Sequence, residues 1–574
     1  MRIVLLCLLF LSFSGYFLWI KSKYDIHEAF IPLLIVTSIG SLMFVAGILN
    51  IMPIIVMLIF GVGIFQLRYI KNIRKFLENR STLVNVGVYL ITCIVFALIL
   101  RNNFFTHYDN FSHWALVVKD ILQSDRLPNF ESPNIRFPSY PTGTAGFIYY
   151  VCKFIGVTEG CMAFAQALIV ISCIYTLIAF LKGRNRYLFL LVGCGSIYLL
   201  NANIPLTELL VDTVIALLGF AGIAMVYYYR ERINLAILLL SPVVLFLVCV
   251  KSSGMFFLLV DVLFMLYIAK QQKQVGFLWK KIIGFLVLVP FGITYLWNCH
   301  VKQVFPTDME AKHAVSIRNY EKVFGEKTGD DIWNITRDYW KEVFSIQNEV
   351  LWLFVLLLLV LCASAYINQN KNGSYIVARN VGLCVGVYVT YMVSLYMMYL
   401  LSMPLYEAIN LAGYNRYNMT FAVFLYAIVL FCVLIYLPAW SRKQKRRAML
   451  LCVYVLVMLP TIPHMTKVSY KDTTFRKRII RWKEKRTLEE GKRYLVYLSD
   501  APYTEDYIGY VVRYELGDVE VVVCNQKDVE GKCSDLEEYG YLLIYEKDAI
   551  IDNILYEHGL PMDKKVIRMK GEKN

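Results

Sequence analysis

Ionisable side chains stand at six places in this sequence where the neighbouring residues are almost wholly apolar. Asp109 follows an apolar run, in HYDNFSHWALVVKD, and Glu208 and Asp212 lie one helical turn apart in LTELLVD. Lys251 separates two apolar runs, in VCVKSSGMFF, while Glu407 and Arg416 fall in MPLYEAINLAGYNRY, with Tyr417 beside the arginine. A charge at membrane depth costs at least about 2.5–3.5 kcal/mol, so those a chain retains are functional candidates. Their types divide the chemistry. A carboxylate takes the proton of an attacking hydroxyl; Arg, through a two-pronged contact, and Lys, as a point charge, neutralise a phosphate. Each also has a structural reading. Asp109 would cap a helix running from Phe111 to Leu122, Glu208 and Asp212 would favour a helix N-terminus through its dipole, and Lys251 would snorkel from a hairpin turn. Arg416 would anchor at the interface with Glu407 as its ion-pair partner.

The elements that must position these groups follow from composition. Of 574 residues 58% are hydrophobic and only 18% charged, with a mean hydropathy of +0.54, which excludes a string of soluble domains. A membrane-crossing helix needs about 20 apolar residues. That rule places about fourteen, near 3–20, 28–48, 50–67, 84–101, 161–181, 187–204, 208–228, 233–250, 252–269, 282–298, 350–366, 381–403, 418–438 and 448–463. The runs 28–67 and 233–270 are too long for single spans and are expected to be tight helical hairpins.

The net charge of +15 does not point to nucleic acid. From Lys467 onward 20 basic residues meet 21 acidic ones, so the excess lies in short runs between apolar segments: Arg68 to Arg80, Lys182 to Arg186, Lys270 to Lys281 and Arg442 to Arg447. Assigned to the cytoplasm, these runs turn 102–160, 202–207, the Lys251 turn, 299–349 and 404–417 outward. All six ionisable groups then share the outer face of a multi-pass cell-membrane protein. The expected organisation is N-terminal spans over 1–101, an outer loop over 102–160, a transmembrane core over 161–463 with a second outer loop at 299–349, and a soluble domain over 464–574. Period-two runs at 494–499, 507–515, 519–523 and 541–545, with a helix at 548–557, argue a small α/β or α+β module for that last domain. Its basic lead-in, 467–493, carries 11 basic and 4 acidic residues. The denser run at 442–447 outweighs it and places the tail outside.

Cysteine adds little: only Cys524 and Cys533 fall together in a soluble stretch, as a loop-closing disulfide or two thiols. His107 and His113 flank Asp109, yet no further carboxylate stands at ligand spacing. No cofactor is called for with certainty, and a divalent metal is not supported.

The pieces YDNFSHWALVVKDIL (108–122), FPSYPTGTAGFIYY (137–150), ELLVD (208–212), CVKSSGMFF (249–257) and YEAINLAGYNRY (406–417), in this order and on one face, resemble the GT-C superfamily of membrane glycosyltransferases. The resemblance implies a polyprenyl-phosphate-linked sugar as donor, a first outer loop bearing the catalytic acid, here Asp109, and a basic residue on the donor phosphate, here Arg416 with Lys251 second. The interfacial helices of that loop would correspond to 111–124 and 143–153, and Glu208, Asp212, Glu407 and Tyr417 would complete the substrate site. The implied activity is sugar transfer to a cell-envelope glycan, teichoic acid or similar polymer. The competing readings are a transporter or flippase of lipid-linked glycans, which would line a path with mid-helix charges or repeat its helices, and a ligase or polymerase of the same lipids.

Overall fold

Away from water an apolar run satisfies its backbone internally by forming a helix, and helices dominate the computed structural model. It describes residues 2–72, 78–132, 134–135, 137–181, 206–273, 275–305, 317–367, 373–436, 474–484, 493–499, 507–517, 520–526, 539–545 and 547–568, with Gly193, Gly195 and Val529 besides. Among them ten helices are long and apolar enough to cross a membrane. They are α1 (Arg2–Tyr24), α2 (Ile31–Ile48), α3 (Met52–Gln66), α4 (Arg80–Leu100), α7 (Glu159–Phe180), α9 (Ile233–Val250), α10 (Gly254–Gln271), α11 (Leu278–Val304), α15 (Gly373–Leu401) and α17 (Tyr414–Tyr436). Two shorter apolar helices, α8 (Asp212–Tyr228) and α14 (Glu349–Ile367), bring the occupied positions to twelve of the fourteen expected. The span expected at 448–463 lies outside the described residues, as does that at 187–204 apart from Gly193 and Gly195.

The chain divides into two compact units. The first comprises residues 1–104, 139–303 and 307–468 and holds all of these helices. Both long apolar runs are hairpins, turning at Asn50, whose φ of 54° is left-handed, and at Lys251–Ser253. Helices α1 and α3 approach closely because Gly15 faces Gly63, and they are tied by hydrogen bonds from Ser12 Oγ to Phe60 O (3.2 Å) and Tyr16 Oη to Ile59 O (2.6 Å). Helix α8 is the central post. It packs on α7, α9, α10 and α17, and its side chains from Asp212 to Val226 are buried, which suits a helix shorter than a full span. Helix α6 (Gly143–Ile155), expected to lie on the membrane surface, is instead buried against α2 and α7. Of its residues Lys153 alone is exposed. Between α11 and α14 the amphipathic helices α12 (Ile317–Gly325) and α13 (Gly329–Val343) pack on α15, the latter opened by a capping box between Thr328 and Asp331. A one-turn helix α16 (Leu405–Ile409) precedes α17.

The second unit joins residues 105–138, 304–306 and 469–574. The expected loop 102–160 is therefore divided between the two units at Pro138. The tail is an α/β fold: β1 (Arg493–Tyr497) lies between parallel β2 (Glu520–Cys524) and parallel β3 (Tyr541–Ile544), and β4 (Val566–Arg568) pairs antiparallel at the edge. Alternation along the strands feeds two cores. One face packs Tyr494, Val496, Val521 and Val523 against α18 (Thr474–Glu484) and α19 (Tyr507–Glu515); the other packs Leu495, Tyr497, Leu542 and Ile544 against α20 (Ala549–Glu557). The period-two reading of 507–515 is corrected here. Parallel β1 and β2 cannot be joined by a hairpin and need a crossover, and the buried Tyr507, Val511 and Tyr514 recur at the i, i+4, i+7 spacing of a helical face.

Candidate functional site

Asp212 is the first residue of α8, Lys251 closes α9 and Arg416 lies in the first turn of α17. Three separated segments thus bring three of the expected residues to one end of the bundle. The Asp212 carboxylate, 2% exposed, accepts a hydrogen bond from Lys251 Nζ at 2.8 Å through Oδ1, and its Oδ2 lies 3.7 Å from Arg416 Nε. Tyr417 sits between the cations: its ring centroid is 5.1 Å from Arg416 Cζ and 5.4 Å from Lys251 Nζ, and its hydroxyl accepts from Arg416 Nη2 at 3.2 Å. Lys251 and Arg416 keep 15% and 22% of their side-chain surface exposed. Lys251 therefore does not snorkel outward from its turn. A buried carboxylate holds it, because an ion without a partner at this burial would be expensive.

The surrounding backbone is built to hold this geometry. Tyr391 Oη donates to Tyr417 O at 2.9 Å, and Tyr399 Oη donates to Ala412 O at 2.9 Å, fixing the loop before α17. Gly413 has φ +75°, and a Cβ there would lie 3.1 Å from the Tyr417 ring, so glycine serves both the left-handed turn and the ring's seat. Glu208 is buried and does not join α8; its carbonyl and that of Leu210 accept from Gln166 Nε2, at 3.0 and 3.2 Å. Glu407 is half-buried on α16. Asp212, on a different helix from the Glu407 partner that the sequence suggested, forms an ion pair with the arginine.

The stretches of the first unit that border the second, at 103–104 and 139–143, are held by residues of the first unit itself. Asn103 Nδ2 donates to Thr207 O at 2.8 Å, next to Glu208. On the return, Trp297 Nε1 donates to Ser139 O at 2.9 Å, and Gly143 lets α6 approach Cys249, two residues before Lys251.

Asp109 itself belongs to the second unit. It precedes a π-helical turn, Asn110–Trp114, that runs into α5 (Ala115–Ser124). Its side chain makes no capping hydrogen bond to that turn, so the capping role that the sequence allowed is not the one it plays. Its backbone N–H donates to His107 Nδ1 at 3.2 Å. Single π turns are rare and recur at functional sites. Phe111 on this turn meets Tyr507 and Tyr514 of α19 at ring separations of 5.9 and 5.2 Å. Buried Arg476 clamps the assembly, donating to Glu515 Oε1 at 2.6 Å and Phe105 O at 2.7 Å with its guanidinium over Phe111.

Among the described residues no cluster of three or more His, Cys, Asp or Glu is arranged to hold a metal ion. Cys524 is buried at the end of β2, and Cys533 lies outside the described residues. One residue escaped the reading of the sequence altogether. Asp261, midway along α10, is fully buried, and among the described residues neither carboxyl oxygen has a hydrogen-bond partner. It fits against Gly222 of α8, where a Cβ would come within 2.2 Å of Oδ2. The signal was present as a lone carboxylate in the run FLLVDVLFML. No family model, curated protein or solved structure matches the chain.

Proposed function

We propose that the protein is a membrane glycosyltransferase that moves a sugar from a polyprenyl-phosphate-linked donor to a cell-envelope glycan or polymer, at the outer face of the membrane. The observation that carries this reading is the meeting of Lys251 and Arg416 over the single buried carboxylate of Asp212, beside Tyr417. Both cations are held in place, and both keep exposed surface through which a lipid phosphate would be met. In the reaction the acceptor hydroxyl oxygen bonds to the sugar's anomeric carbon as the bond from that carbon to the phosphate oxygen breaks. The electron pair leaves with the phosphate, whose charge Arg416 and Lys251 stabilise. Asp109 takes the hydroxyl proton. Asp212 positions the two cations, and the Tyr417 ring lies beside their charged ends.

A second reading has one observation in its favour. Asp261 is the mid-helix carboxyl that a transporter or flippase of lipid-linked glycans would use. A ligase or polymerase would share the phosphate chemistry. The test is sugar transfer by purified protein from a radiolabelled polyprenyl-phosphate sugar, with envelope glycan composition compared in cells with and without the gene. A charge-assisted contact is worth about 1.5–3 kcal/mol, so Arg416→Ala is expected to weaken donor use more than tenfold at equal protein level, and Lys251→Ala less. Donor dependence unchanged in Arg416→Ala would reduce the cluster to a structural ion pair. Transport that fails in Asp261→Asn, without any transfer by the wild type, would favour the second reading.

A further inference from the structure

Lys327 lies in the turn between α12 and α13, beside the charged residues Glu326, Asp330 and Asp331, yet it is only 7% exposed. A cation so covered needs partners. Its ammonium has two: it donates to Val323 O at 3.0 Å, in the last turn of α12, and to Met403 O at 2.8 Å, between α15 and α16. Helix geometry leaves the last carbonyls of α12 without an intrahelical donor and gives that end a partial negative charge, so a cation suits it better than a neutral group. Burial pushes the ammonium below the ordinary lysine value, against the opposing pull of Glu326 and Asp331.

Met403 opens the loop from which Arg416 is presented. The chain passes through Pro404 into α16, then through Leu411 (φ 45°) and Gly413 (φ 75°), both left-handed, into α17. Tyr399 holds the far part of this loop at Ala412, and Lys327 holds its start. The Tyr339 ring of α13 meets Tyr399 and Tyr414 at 5.8 and 5.7 Å, so the outer segment that carries Lys327 also backs the first turn of α17. We infer that Lys327 is a positioning residue for Arg416: its ammonium clasps Met403 to the end of α12 and so fixes the loop that aims the guanidinium. Its bearing on a phosphate rests on the glycosyl-transfer reading; its hold on the loop does not.

The test is hydrogen–deuterium exchange on the full-length protein in detergent, with binding of farnesyl phosphate, a short polyprenyl phosphate, measured alongside. The amides of Ala408, Leu411, Ala412 and Tyr414 donate to backbone carbonyls, so exchange across 404–414 reports the order of the loop. Lys327→Met, which keeps an apolar stem and removes the charge, is expected to speed that exchange at least about tenfold, the effect of one lost charge-assisted hydrogen bond, with exchange in α2 unchanged. It is expected to weaken farnesyl phosphate binding by up to the same factor, and Lys327→Arg to restore both. Between about pH 8 and about pH 10 the wild-type loop should loosen relative to Lys327→Arg, because a buried ammonium gives up its proton at lower pH than a solvated lysine and a guanidinium keeps its own. Loop exchange unchanged in Lys327→Met overturns the inference, and faster exchange with undiminished farnesyl phosphate binding overturns the positioning role. If Lys327→Met fails to fold, the pH comparison decides, and equal loosening in wild type and Lys327→Arg overturns the clasp. A wild type that binds no farnesyl phosphate would remove Arg416 as the donor contact and leave the exchange to decide the clasp alone.

Discussion

Asp109 shows how a side chain's role separates from its position. As a helix cap its loss would cost about 0.5–2 kcal/mol of stability, whereas a general base is worth about 10²–10⁴ in rate. The side chain does not cap the turn it precedes, so Asp109→Asn is expected to lower sugar transfer by roughly 10²–10⁴ with no loss of thermal stability. Equal transfer at equal protein level would dismiss Asp109 as the base and pass the role to Glu208. Asp212 is the other candidate, its carboxylate engaged by Lys251 and approached by Arg416. The same comparison of burial and partners separates Asp261 from these residues: its carboxyl is buried and, among the described residues, accepts nothing.

At the scale of elements, small residues decide which helices touch. Without a hydrophobic drive between helices in lipid, close backbone approach and interhelical hydrogen bonds hold a bundle together. Gly15 and Gly63 provide that approach for α1 and α3. A Cβ on Gly15 would sit 1.9 Å from Gly63 O, a backbone atom with nowhere to go. Gly15→Ala is therefore expected to part these helices and destabilise the protein by about 1–3 kcal/mol, read as a lower midpoint of thermal unfolding in detergent. Gly61→Ala, on the open side of α3 where a Cβ meets nothing within 4 Å, is the matched control and should leave the midpoint unchanged or raised. An equal fall in both would attribute the effect to something other than the α1–α3 approach.

For the whole molecule, the decisive feature is that residues 105–138 and 469–574 fold as one unit. Two segments of one folded body lie on one side of a membrane, so the chain crosses it an even number of times between 138 and 469. The ten spans expected in that interval satisfy this. In the proposed orientation the shared side is the outside. Cysteine introduced at the exposed Arg126 is expected to react with an impermeant thiol reagent in intact cells, and a reporter fused after Asn574 should be active only outside the cytoplasm. Labelling of position 126 combined with a cytoplasmic reporter would break the unit apart; both on the inside would preserve it and invert the protein.

Apolar runs of bilayer length determine helices by themselves, because an unpaired backbone group away from water is costly wherever it falls; hence the two hairpins and twelve helix positions were legible, and so were Lys251 and Arg416 as misplaced charges. Alternation likewise marked β1, β2 and β3. What the sequence could not decide was partnership. Asp212 with Lys251 spans 39 positions of chain, and Arg416 comes from a further helix, so only the packing of α8 against α9 and α17 brings Asp212 to both cations. The burial of α6, the helix at 507–515 and the union of the first loop with the tail are decisions of the same kind. Each depends on contacts between segments remote in sequence, whose energies are set by what covers a residue and not by the residues beside it.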